Sequence, residues 1–369
     1  MKVTGSVAWG SALLAVVLVG LGMVGCGNTN NGGIPPGPTP EPGSEFVFVP
    51  DAANNALVEL VIGPDGSINF GPAPGPVFGT GSEPVWAAVS PNNFVYVTNF
   101  NSNSVSAFTL DTTSGAVGAL GSFAAGTAPG AVAVDSLGKF AYVANDGSNN
   151  VSGYSIGGTG ALTVVPNSLF PAGTNPQQGI AATAAGFVYV SNFGSSNVSA
   201  YSINSGTGTL TALATYATGA GPVSLAMDPG GNFLFTANSS TDNVSAFTVN
   251  KSNGSLTPVP NSPFTAGNSP QYLVTDNAGT HLYVVNVNDN TVGAYTIAAS
   301  GALTLLNVYP TGFGPEGLAV DAANKFLLVA DCGDGTLAGF GINGDGTLAS
   351  LGVLSLLNGG CPQAVATTH

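Results

Sequence analysis

An all-β fold, a seven-bladed β-propeller, is predicted by three features of the sequence. A unit returns seven times at intervals of about 47 residues, a period that in short-stranded chains means a blade repeated around an axis. Within each unit a strand ending in Asn or Asp is followed by a polar loop and a strand of strict apolar/polar alternation, which sets one face on a core and one towards solvent. Between the strands lie clusters of Gly, Asn and Ser, which are turn chemistry, and the repeated region shows no helical periodicity.

The first element is outside that fold. Lys2 heads an almost wholly apolar run from Val7 to Val24, which reads as a targeting segment over residues 1–26. It closes on Met23-Val24-Gly25-Cys26, which resembles the bacterial lipobox. That resemblance implies a lipid-modified Cys26 and an extracytoplasmic, lipid-anchored protein of the bacterial cell envelope. A plain secretory signal or an uncleaved anchor is the alternative reading. Residues 27–44 are rich in Gly, Asn and Pro without apolar periodicity and read as a semi-extended tether, spanning about 50 Å at roughly 3 Å per residue.

The propeller then occupies residues 45–369. Its Asn-ending strands are Phe46–Asp51, Phe94–Asn99, Phe140–Asn145, Phe187–Asn192, Phe233–Asn238, His281–Asn286 and Phe326–Asp331. Six are preceded by a Pro-led apolar strand: Pro84–Val89, Pro129–Val134, Pro176–Ala181, Pro222–Met227, Pro270–Thr275 and Pro315–Val320. The alternating third strand is exemplified by Val105–Leu110 and Val198–Ile203. A weaker fourth strand carries Gly-x-Leu-Thr, as at Gly160–Thr163 and Gly301–Thr304. The first unit lacks a Pro-led strand, whereas the last is followed by an unpaired one. Pro362–Thr368 is therefore expected to be the innermost strand of the first blade, closing the disc and removing free sheet edges.

Composition narrows the function. The 369 residues include 54 Gly and only 6% charged residues, for a net charge of −14. Four Lys and no Arg supply the side-chain positive charge, which excludes nucleic acid as a partner because phosphate contacts need cations. The acidic, Asn- and Ser-rich surface suits life outside the cytoplasm. Its 44% hydrophobic content in regular alternation excludes disorder. Cys332 and Cys361 fall in loops of adjacent blades on one face of the disc. They are expected either to form a disulfide at the point of closure or to remain two free thiols.

Residues that recur in every blade are architecture, so a site is sought where the repeat breaks. The strand-ending Asn and Asp side chains are expected to bond nearby backbone as turn formers. His281, in a Phe position, reads as a packing substitute with a solvated edge. The residues following each Pro face the central channel and vary: Trp86, Gln177, Gln178, Gln271, Tyr272, Glu316 and Gln363, with Glu83 just before its Pro. They form either a polar pocket for a neutral or cationic small molecule or peptide, or the solvated wall of a water-filled pore. The GDGT runs at Gly333–Thr336 and Gly344–Thr347 resemble fragments of calcium loops but lack further acidic ligands. No zinc spacing, phosphate-binding Gly loop or G-x-S-x-G elbow is present. No cofactor and no metal are expected.

Tyr96-Val97-Thr98-Asn99, with the following Asn103–Phe108, resembles the unit of the YVTN-repeat and lactonase-type seven-bladed propeller family. Pro166–Gly173 and Pro260–Gly267 are similar to its usual connectors. The resemblance covers residues 45–369. It implies the fold, and it associates the chain with a cytosolic 6-phosphogluconolactonase and a muconate lactonising enzyme, whose proposed sites use Arg, His and acidic residues around the channel. This sequence has no Arg, so a phosphorylated substrate would meet no guanidinium. The expected role is accordingly a monomeric binding or scaffold module at the cell surface, taking a small molecule or a surface protein at the funnel, with no catalytic residues. The alternative is a lactone hydrolase acting on an unphosphorylated lactone through Glu83 or Glu316.

Overall fold

The computed structural model describes residues 40–41, 44–71, 77–356 and 359–368. The targeting segment with Cys26, most of the tether, and His369 lie outside the described residues. Seven antiparallel sheets form seven blades. Blade two runs from its inner strand Pro84–Val89 through Phe94–Asn99 and Ser104–Leu110 to an outer strand, Val117–Ala124. The same order recurs up to blade seven, which comprises Pro315–Val320, Phe326–Asp331, Thr336–Ile342 and Leu348–Ser355. A short 3-10 segment, Val287–Asp289, follows the second strand of blade six.

The disc closes in blade one. Ala366–Thr367 pairs with Glu45–Asp51 in the register Val47↔Thr367 and Phe48↔Ala366, and Asp51 bridges Pro362. Two backbone bonds extend this closure, from Gln363 N to Pro50 O (3.0 Å) and from Thr368 N to Phe46 O (3.0 Å). The inner strands of successive blades lie side by side, with Ala366–Thr367 between those of blades two and seven. The core is therefore a ring of apolar layers between sheets, as where Phe46 and Phe48 of blade one meet Val95, Val97 and Phe108 of blade two.

Two repeated contacts set the spacing of the wedges. The aromatic ring that opens each second strand lies over a Gly in the outer turn of the following blade: Phe94 over Gly160, Phe140 over Gly208, and so round to Phe326 over Gly66. These glycines have φ near +80° and no room for a Cβ, so both conformation and close approach demand Gly. In four blades the Tyr two residues on donates its hydroxyl to the same Gly carbonyl, as Tyr96 to Gly160 O at 2.9 Å. His281 takes the Phe place over Gly346, and its Nδ1 lies 2.8 Å from Asp276 Oδ2. It is thus a packing residue with one polar anchor.

The strand-ending Asn residues do more than shape turns. Asn99 Oδ1 accepts from Gly81 N (3.0 Å), in the connector arriving from the previous blade, while its Nδ2 donates to Ser106 Oγ (3.0 Å). Asn145 and Asn192 repeat the clamp on Gly126 and Gly173. Because these side chains are fully buried, each amide needs both partners.

Other expectations change in detail. The inner strand of blade four is Ile180–Ala182, not Pro176–Ala181. Gln178 N donates instead to Val223 O of blade five (3.2 Å), which leaves Gln177 and Gln178 on irregular backbone. Blades one, three and five have outer edges in two pieces, as Leu162–Val164 and Phe170–Pro171 in blade three. Segments read from sequence as connectors between blades therefore complete the outer edge, interrupted where Pro cannot donate to the ladder.

Candidate functional site

Four inner strands begin with a bulge at the same place. The register of blade two slips between Pro84 and Trp86, and blades five, six and seven slip at the equivalent place. A bulge leaves one residue unpaired and re-aims its side chain. The residue directly after the Pro is thereby displaced from the ladder, and Gln271 and Glu316 reach the mouth of the disc in this way. A cavity of about 390 Å³ opens there. It brings together five of the eight residues singled out from sequence: Gln177, Gln178, Gln271, Tyr272 and Glu316.

The other three lie elsewhere. Trp86 stacks on Tyr272, with ring centroids 6.1 Å apart and planes at 24°. It also packs against three of the interblade cores, so it blocks the hub beneath the mouth. Tyr272 itself is only 2% exposed. Gln363 sits beside the ring closure, its Nε2 3.0 Å from Cys361 Sγ, and its amide bonds towards Glu316. Cys332 and Cys361 form a disulfide, their sulphurs 1.91 Å apart. Glu83 is not part of the cavity lining. It occupies a repeated position of positive φ that Ala128, Asn175 and Ser269 fill in other blades. Its N–H donates to Asn55 Oδ1 (2.8 Å), and its carboxylate is held by the Asn101 side chain.

The mouth also contains residues that the sequence reading passed over. Phe100, Asp146, Phe193 and Ser239 all line it, and each directly follows a strand-ending Asn. At that one place the seven copies read Ala52, Phe100, Asp146, Phe193, Ser239, Val287 and Cys332. This variation after an invariant type of residue was the available signal.

The electrostatics are one-sided. Burial raises the Glu316 carboxyl above its usual range, partly offset by the Gln363 amide. Burial likewise raises Asp146, partly offset by Asn175, and Asp146 Oδ1 is buried with no hydrogen-bond partner. Tyr272 is pushed well above the ordinary phenol value by burial and by the charge of Glu316, so it stays a protonated donor. No Lys or His lines the cavity. Among the described residues no group of three or more His, Cys, Asp or Glu side chains is placed to hold a metal ion. The lining can therefore offer a general base and amide donors from three Gln side chains above an aromatic floor, but no Lys or His.

Comparison with known proteins agrees with this architecture. The family model "Lactonase, 7-bladed beta-propeller" matches residues 86–177, 166–264 and 259–363. No curated protein matches. Among solved structures, a putative 6-phosphogluconolactonase from Bacteroides fragilis is 19% identical with a TM-score of 0.78, over 90% of this chain and 100% of that one. One from Bacteroides uniformis is 18% identical with a TM-score of 0.77, over 88% and 99%. A periplasmic gluconolactonase from Pseudomonas aeruginosa is 19% identical with a TM-score of 0.73, over 88% and 99%. These relatives correct the expected envelope location. Proteins of this fold include putative 6-phosphogluconolactonases, the activity associated above with a cytosolic enzyme, as well as a periplasmic protein, and the envelope assignment is withdrawn.

Proposed function

The chain belongs to the seven-bladed β-propeller lactonase family, and on that premise we propose that it hydrolyses lactones that carry no phosphate, with Glu316 as the base. The observation that carries this reading is the one cavity whose lining includes Glu316, three Gln side chains and Tyr272. Family membership and this chemistry favour hydrolysis over the scaffold role.

In the proposed step, ionised Glu316 removes a proton from water as the water oxygen bonds to the lactone carbonyl carbon. The carbonyl oxygen becomes an oxyanion, which needs N–H or O–H donors preorganised around it. The side-chain amides of Gln177, Gln178 and Gln271, together with the Tyr272 hydroxyl, are the available donors. Protonated Glu316 then returns the proton to the ring oxygen as the C–O bond breaks, giving a hydroxy acid. A phosphate group would enter a mouth lined by Asp146 and Glu316 with no ammonium or guanidinium to receive it.

The test is acid release from a panel of lactones followed by pH drop. Wild type is expected to turn over at least one unphosphorylated lactone, and Glu316→Gln to lose on the order of 10²-fold or more in kcat, the usual scale of general base catalysis. Glu83→Gln is expected to match wild type. Undiminished turnover in Glu316→Gln would remove the assignment of the base.

A further inference from the structure

We infer that Asn343 is a site of spontaneous deamidation and isomerisation, and that its modification loosens the seam between blades six and seven. The residue opens the outer turn of blade seven, between Thr336–Ile342 and Leu348–Ser355. Asn204 and Asn250 hold the same place in blades four and five, and both are tied down. Asn204 Oδ1 accepts from Gly206 N (3.0 Å) and Thr207 N (3.2 Å), and Asn250 Oδ1 accepts from Ser252 N (3.0 Å). Asn343 breaks this pattern. It is exposed, and its side chain is held only through Nδ2, at Thr347 Oγ1 (3.0 Å), among the described residues. Of the three it alone is followed by glycine.

The glycine matters because the reaction is an attack by the next backbone nitrogen, which a side chain on that residue would hinder. The Gly344 nitrogen bonds to Asn343 Cγ, and its proton leaves with the side-chain amide as ammonia, closing a succinimide ring. Water then opens one of the two ring carbonyls, giving aspartate or isoaspartate. Gly344 N donates no hydrogen bond among the described residues, and a Cβ built there meets no atom within 4 Å. Asn253-Gly254 is an internal comparison. There the attacking nitrogen is held by Asn250 O at 2.8 Å, and Asn253 Oδ1 accepts from Ser255 N (3.0 Å).

Isoaspartate carries the main chain through the side-chain carbon, so it inserts a methylene into the turn and turns the old carbonyl into a free carboxylate. That carbonyl is the acceptor for Gly346 N (2.9 Å). Gly346 lies under the His281 ring, and its own carbonyl accepts from the Tyr283 hydroxyl (3.1 Å). Both contacts join blade six to blade seven, and lengthening the turn displaces Gly346 from them.

The experiment incubates the full chain in mildly alkaline buffer. Peptide mapping follows Asn343 and Asn253, and isoaspartate is scored by enzymatic methyl transfer to its free carboxylate. Asn343 is expected to convert at least about fivefold faster than Asn253, the factor for first freeing an amide bonded by about 1 kcal/mol. Gly344→Ala, which the open space allows, is expected to melt as wild type and to lose the product. Aged wild type is expected to melt below fresh protein, whereas Gly344→Ala aged in parallel keeps its melting temperature. Asn343→Asp, with the charge but an unaltered main chain, is expected to stay close to fresh wild type. Conversion at Asn253 first, or at Asn343 at the wild-type rate in Gly344→Ala, would overturn the site. Modified protein that melts with the fresh chain would overturn the loosening of the seam.

Discussion

Trp86, from blade two, and Tyr272, from blade six, stack at the hub of the disc with ring centroids 6.1 Å apart. Neither blade is a neighbour of the other, so this one pair ties opposite sides of the ring together under the mouth. Large aromatic side chains packed this way contribute through buried area and through the offset stack itself.

Trp86→Ala should accordingly destabilise the protein by about 3–5 kcal/mol, the range for removing a large aromatic from a packed core. Trp86→Phe should lose much less, since part of the stack survives. Urea unfolding measures both. A change below about 1 kcal/mol for Trp86→Ala, within the scatter of surface substitutions, would mean that the hub is not filled by this side chain.

Glu59 predicts an unusual dependence of stability on pH. It is completely buried, neither carboxyl oxygen has a partner, and burial raises it to about 8. An acid whose folded value lies above its unfolded value of about 4.3 binds more protons when folded. Stability from this group is therefore fully present below about pH 4, falls as pH rises between the two values, and levels off above about 8. Glu45 and Asp331, each raised to about 7 chiefly by burial, act with the same sign. Glu59→Gln should flatten the profile and be the more stable form at pH 9, by on the order of a few kcal/mol. Thermal melts of both proteins from pH 5 to 9 provide the measurement. Parallel profiles would show that Glu59 ionises freely.

Ring closure predicts a cost for loosening blade one. The Cys332–Cys361 link spans 29 residues of sequence, which corresponds to roughly 3–4 kcal/mol of chain-entropy stabilisation. Cys332→Ser with Cys361→Ser should lower the unfolding free energy by that amount and the melting temperature with it, and removal of residues 362–369 should lower both further by deleting the strand beside Glu45–Asp51. A truncated protein that melts with the full chain would show that the last strand is dispensable.

Much of this fold was legible because its physical demands recur. The Phe94 position returns in every blade as an aromatic ring, the Asn99 position as Asn or Asp, and the Tyr96 bond in four blades, and repetition made them visible. Glu316 and Gln271 were legible through the Pro before them, which marks the start of a bulge. Glu83 was misleading because its backbone conformation, and not its carboxylate, is what the position requires. Asp146 was overlooked since it lies one residue beyond the repeated Asn, in what reads as loop. Glu59 was hidden within Leu57–Val61, where a single acid among apolar residues looks like an outward-facing strand position. Only its cross-strand partner Phe48 and the small residues at the same place in other blades (Ala107, Gly153, Ala200) show that it points inward.

The antiparallel register of Phe46 with Thr368 has a mechanical meaning. Glu45 and Thr368 leave the disc at the same end of the same sheet, so tension applied between them loads the closing hydrogen bonds one after another, as in a zipper. Resistance to pulling from these two points should therefore be weak. A reporter protein fused at either point would emerge from the same rim, facing away from the mouth.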